Sequence, residues 1–143
     1  MFLNILIGLL TMAVCLMLQS ILIVVALRHY AHRGIFGDAP SPWRVFLLLN
    51  AVMSLLVIGN LAQLCIWALL FLGLGEFASL DVAVYHSAVN FASLGYGDIV
   101  MSERHRLLGA LEAINGVLMI GVSTAALMAT LQDAYEKSKK RPA

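Results

Sequence analysis

Ser93-Leu94-Gly95-Tyr96-Gly97-Asp98 is the stretch on which the fold turns. Its two glycines, one residue apart, permit backbone angles that other residues avoid, so successive carbonyls can point to the same side of the strand. On the N-terminal side, residues 82–92 are helix-compatible but carry Tyr85, His86, Ser87 and Asn90. That segment is too short for a full span, which needs about 20 residues. On the C-terminal side a long hydrophobic stretch follows. A short helix and a glycine strand between apolar spans must enter the membrane and return. Irregular backbone at that depth is tolerated only where protein or a wet cavity surrounds it. One small chain cannot supply the enclosure, so symmetric assembly is expected.

The composition makes the membrane setting unavoidable. Of the 143 residues, 62% are hydrophobic and 12% are charged, too apolar for a soluble domain of this size. Uncharged stretches cover residues 2–27, 45–75 and 113–132, each long enough to cross the hydrocarbon. The first has no basic residue ahead of it and no small-x-small cleavage site, so it reads as a true span rather than a signal peptide. Cys15 and Cys65 fall inside spans and read as packed thiols, with no disulfide or metal framework. The net charge of +1 offers nothing to a nucleic acid.

Three spans put the termini on opposite faces. Arg28, Arg33, Arg44, Lys137, Lys139, Lys140 and Arg141 lie on one side, and Arg104 and Arg106 on the other. By the positive-inside rule the first loop and the C-terminus are cytoplasmic and the N-terminus is outside, in a multi-pass protein of the cell (plasma) membrane. The expected division is an N-terminal transmembrane helix over 1–28, a cytoplasmic loop over 29–43, a pore domain over 44–131 and a basic tail over 132–143. Gly34, Gly37, Pro40 and Pro42 break the first loop, with Trp43 and Arg44 as an interfacial anchor. His29 and His32 read as solvated loop residues rather than sensors. Within the pore domain the outer helix is expected at 44–75, a pore helix at 82–92 capped by Ser79 or Asp81, the filter at 93–98 and the inner helix at 107–131.

Four such glycine strands around an axis would stack rings of carbonyl oxygens in place of a cation's hydration shell. The order of outer helix, short re-entrant helix, glycine strand and inner helix resembles the pore-loop potassium channels, specifically the minimal prokaryotic type with two pore-forming helices per subunit. The resemblance spans roughly 45–131. The family filter reads threonine, an aliphatic residue, glycine, tyrosine, glycine, aspartate, and Ser93 to Asp98 match it with serine first. It implies an all-helical membrane homotetramer that binds K+ at Ser93, Leu94, Gly95 and Tyr96, with Gly97 completing the path. Gly116 and Thr124-Ala125-Ala126-Leu127 resemble the family's inner helix, with Gly116 and Gly121 either a gating hinge or close-packing positions. Helical spacing sets Val117, Ile120, Thr124 and Met128 on one face, which would line a cavity below the filter.

Two residues depart from the family pattern. Ala92 stands where threonine is usual, and His86 where a tryptophan commonly braces the filter tyrosine. The His86 imidazole is expected either to donate to the Tyr96 hydroxyl of a neighbouring subunit, or simply to pack or be bridged by water. Glu112, in the last span, must face protein. It is expected to back the filter by bonding Asn90, His86 or Asp98, or else to pair with Arg106 or His105. Asn50, Asn60 and Gln63 read as interhelical hydrogen-bonding glue.

The reading is a potassium-selective channel subunit with K+ as permeant ion, no organic cofactor and the lipid bilayer as its surroundings. The alternatives are a weakly selective monovalent cation channel and a non-conducting membrane assembly subunit. No span carries periodic arginines as a voltage sensor would, and a separate regulatory subunit would have to supply any ligand gate. Neither a Gly-x-Ser-x-Gly nor a His-Glu-x-x-His arrangement supports an enzyme.

Overall fold

The computed structural model describes residues 1–32 and 42–139. Most of the expected loop over 29–43, with Arg33, Gly34, Gly37 and Pro40, lies outside the described residues, as do Lys140 and Arg141. The chain runs α1 (Phe2–His32), α2 (Pro42–Gly73), α3 (Leu80–Phe91) and α4 (Arg106–Lys139), with no strand among the described residues. Three helices are long and apolar enough to cross a membrane, over Phe2–Ala26, Trp43–Gly73 and Arg106–Gln132. The fold is therefore all-helical, with three candidate spans and the short α3 between the last two.

α2 and α4 form the central pair. α1 packs on both of them from one side, and α3 is held by both from another. Glycines set these distances. A Cβ at Gly8 would overlap the Leu111 side chain, and one at Gly59 would overlap the Gln19 amide. Close backbone approach through small residues is how helices gain contact where lipid tails remove the hydrophobic drive to associate.

The core gathers where all four helices meet. Met12 and Cys15 of α1, Trp67, Ala68 and Phe71 of α2, Phe77 of the connecting loop, Ala83 of α3 and Leu108 of α4 are buried together. Phe71 is the hub, with Trp67 tilted against it at 5.8 Å and Phe77 and His86 edge-on at 6.3 and 5.7 Å. His86 thus sits in an aromatic cage that fixes its ring plane. A smaller cluster of Leu48, Val52 and Leu56, backed by Ile23 and Ala126, closes the opposite end.

Two helices run past their expected ends. α1 continues to His32 instead of ending at 28, and α4 continues to Lys139 instead of ending at 131. The reason is that hydropathy marks where lipid stops, whereas helix propensity continues through Gln132, Glu136 and Lys137. Asn50 is a correction of a different kind. Its amide donates to the Phe46 carbonyl of its own helix at 3.0 Å, and it is exposed among the described residues of the chain. Gln63, by contrast, does join helices.

Candidate functional site

The site begins at the N-terminus of α3. Ser79 is extended (φ −136, ψ 152), and its hydroxyl accepts the Val82 amide, so it is the cap, while Asp81 sits in the first turn where the helix dipole favours an acid. α3 ends in a Schellman arrangement. The Leu94 amide reaches the Val89 carbonyl at 2.9 Å and the Ser93 amide reaches the Asn90 carbonyl at 2.8 Å. Ser93 therefore takes the left-handed position usually given to glycine, at φ 57.

From that residue the backbone alternates. Ser93, Gly95 and Gly97 all have positive φ (57, 57 and 74), and Leu94 and Tyr96 between them do not. Such an alternation of handedness is the condition under which successive carbonyls can face one side of a strand. Every residue from Ala92 to Asp98 is exposed in the single chain. Behind the strand an open recess of about 500 Å³ is lined by His86, Asn90, Gly95, Gly97 and Gly109 among others.

Side chains from α3 hold the C-terminal end of the strand. The Tyr85 hydroxyl donates to Asp98 Oδ2 at 2.7 Å, and this bond holds the Asp98 carboxyl below its ordinary range and pushes the Tyr85 phenol up. His86 Nδ1 lies 3.1 Å from the Ile99 carbonyl, which can only accept, so Nδ1 carries the proton. Its Nε2 then accepts from the Asn90 amide at 2.8 Å. Both ring nitrogens are occupied within one chain, which leaves none for the Tyr96 hydroxyl of a neighbour. Within the chain His86 follows the other expectation and packs, against Phe71 and Phe77.

A second clasp fixes the loop leading from the strand to α4. Glu76 accepts the Ser102 amide at 2.7 Å, the Ser102 hydroxyl at 2.6 Å and His105 Nδ1 at 2.5 Å. Burial pushes the Glu76 carboxyl up, but the bonds from Ser102 and His105 outweigh it and leave the carboxyl below its ordinary range. The Asn4 amide of α1 also donates to the Arg104 carbonyl. Since His105 is spent on Glu76, it is not the partner of Glu112.

Glu112 is fully buried, and neither oxygen has a hydrogen-bond partner among the described residues. Ser87 and Asn90 are the polar groups that approach it. The expected bonds from Glu112 to His86 and Asp98 do not form, because His86 is taken by Ile99 and Asn90, and Asp98 by Tyr85.

On α4, Val117, Ile120, Thr124 and Met128 are all exposed, on the face expected for a cavity. The Thr124 hydroxyl donates to the Ile120 carbonyl at 2.8 Å, and its oxygen can still accept. The two glycines separate in character. A Cβ at Gly116 would overlap the Phe91 carbonyl, so α3 seats directly on α4 there, whereas nothing lies within 4 Å at Gly121.

Tyr85, Glu76, Ser102 and Asn4 escaped the sequence reading as functional positions. An acid just past an apolar span was the one available signal for Glu76, and nothing local identified its partners.

A family described as "Ion channel" matches residues 55–133, from the middle of α2 through α3 and the glycine strand into α4. No curated protein and no solved structure matches the chain. The match covers more than half of the sequence and contains the re-entrant helix, the alternating strand and the long helix after it, and so the chain belongs to the pore-loop ion channel family.

Proposed function

We propose that four copies of this chain surround a common axis and pass potassium down its electrochemical gradient through rings of carbonyls from Ser93, Leu94, Gly95, Tyr96 and Gly97. The observation that carries the reading is the alternation of φ at Ser93, Gly95 and Gly97 in a strand exposed on a single chain. Aligned carbonyls supply what a dehydrated alkali ion loses when it leaves water. A strand exposed at membrane depth calls for neighbours, and copies of itself are the simplest enclosure. The recess behind the strand is open to receive one, and Tyr96, 66% exposed, is a side chain of the size to enter it.

Below the filter, Val117, Ile120 and Met128 give an apolar wall with Thr124 as its polar ring, suited to a hydrated cation that must not be held. The C-terminal end of α3 adds the negative pole of its dipole toward that space. The positive-inside count supports an N-terminus outside and a cytoplasmic C-terminus in the cell membrane.

Potassium flux from purified protein in liposomes tests the reading. Flux blocked by barium, with a reversal potential that follows the potassium gradient rather than the sodium gradient, is the expected result. Equal permeation of sodium leaves a monovalent cation channel, and absence of flux leaves an assembly subunit; either outcome removes the potassium reading.

A further inference from the structure

Each of the four helices contributes an uncharged or acidic polar side chain to the membrane-embedded core, and these side chains fall into two hydrogen-bonded runs. The first starts on the accessory helix. Gln63 Nε2 of α2 donates to Gln19 Oε1 of α1 at 3.0 Å, and Asn115 Nδ2 of α4 donates to Gln63 Oε1 at 3.3 Å. The second lies behind the filter, where Asn90 donates to His86 and His86 donates to the Ile99 carbonyl.

Glu112 and Ser87 stand between the runs. Glu112 is one helical turn before Asn115 on α4, and Ser87 is one turn before Asn90 on α3, so each shares a face with the end of a run. Gln63, Asn115, Glu112 and Ser87 are all fully buried, and Gln19 is 1% exposed. Among the described residues, both Glu112 oxygens, the Ser87 hydroxyl, Asn115 Oδ1 and Gln19 Nε2 have no hydrogen-bond partner. Unpaired polar groups concentrated at one buried place are the usual mark of bound water, which bonds two to four such groups.

We propose that Glu112, Ser87 and Asn115 bind a small cluster of buried water that joins the two runs into one relay, which makes Gln19 of α1 a positioning residue for the outer limb of the filter. The inference rests on the channel reading for its consequence, but not for its geometry. The α1 and α3 backbones do not approach closely, and the hydrogen-bonding route from Gln19 toward Ser87 runs through Gln63, Asn115 and the cluster. The accessory helix is then part of the pore mechanism rather than packing on its rim.

Infrared spectroscopy of the full chain in liposomes reads the relay without conduction. The carboxyl band of Glu112 is identified as the one lost in Glu112→Gln, and exchange into D2O should shift it. Gln19→Met, matched in shape, and Gln63→Met, which breaks the next rung, should each move it again. A band that is indifferent to D2O, or unmoved by both substitutions, overturns the proposal. Potassium flux adds a second arm, a double-mutant cycle of Gln19→Met with Ser87→Ala. The two effects should depart from additivity by about fivefold, the lower end of usual site-to-site coupling. Additive effects in conducting protein overturn the relay. If the wild-type protein passes no potassium, the channel reading falls while the infrared result still decides the relay.

Discussion

At the residue scale the proposed filter depends on backbone handedness. Gly97 sits at φ 74 with open space around it, so nothing steric forbids a methyl group and only the dihedral does. An L-residue held in the left-handed region costs roughly 1–2 kcal/mol, and a tetramer would incur it four times. Gly97→Ala is therefore expected to abolish most potassium flux while the protein still inserts and assembles, measured by liposome flux beside native mass. Ser93 already bears such a conformation without being glycine, held by the two amide bonds that close α3. Serine gave no hint of this in the sequence. Glu76 leads to a different measurement. Its carboxyl lies below the ordinary range in the fold, so its clasp on Ser102 and His105 is complete above that range and is lost as pH falls through the folded value. Thermal stability should be level near neutrality and decline in acid, and Glu76→Gln should lower the neutral plateau and flatten the acid decline. A decline of unchanged steepness would assign it to other carboxylates.

At the element scale the question is how α3 is held against α4. Gly116 lies under the Phe91 carbonyl, a backbone atom that cannot rotate away, and Gly121 faces open space. Gly116→Ala should separate the two helices and cost about 1–3 kcal/mol, the usual penalty of overpacking. Gly121→Ala should be neutral within about 0.5 kcal/mol or slightly stabilising. Melting temperatures of the two variants, with flux alongside, measure the contrast; equal effects would mean that Gly116 acts as a hinge and not as a seat. The elements themselves were legible because hydropathy over about 20 residues is a strong signal and the Gly-Tyr-Gly-Asp string fell between two spans. A short α3 capped by Ser79 or Asp81 followed from local chemistry, and only the structure chose Ser79. Contacts between distant segments did not. Glu76 meets Ser102 and His105, and Gln19 meets Gln63, only after folding, and a single sequence carries no record of such meetings. Helix ends past 28 and 131 were missed for the opposite reason, since the pattern that located the spans ends with the lipid and the helices do not.

At the scale of the whole molecule, a single chain leaves its glycine strand and one face of α4 exposed, with Leu94, Tyr96, Val117, Ile120 and Met128 each about half exposed or more. Lipid can cover the apolar side chains but has no donors for the carbonyls of residues 93–97, which call for water, a cation or further protein around them. In the proposed tetramer assembly and ion binding would be linked, because the ring of oxygens would exist only in the oligomer. A ligand bound solely by the assembled state stabilises it by RT ln(1 + [L]/Kd), about 2.7 kcal/mol for one site at a hundred times Kd. Potassium should therefore raise the dissociation temperature of the oligomer in detergent in a concentration-dependent way. Sodium at equal ionic strength should do so much less, and Gly97→Ala should remove most of the difference. Native mass spectrometry across a temperature series reads both stoichiometry and stability. A protein that stays assembled to the same temperature in either salt would separate oligomerisation from the filter and leave the alternating strand without an ion to hold.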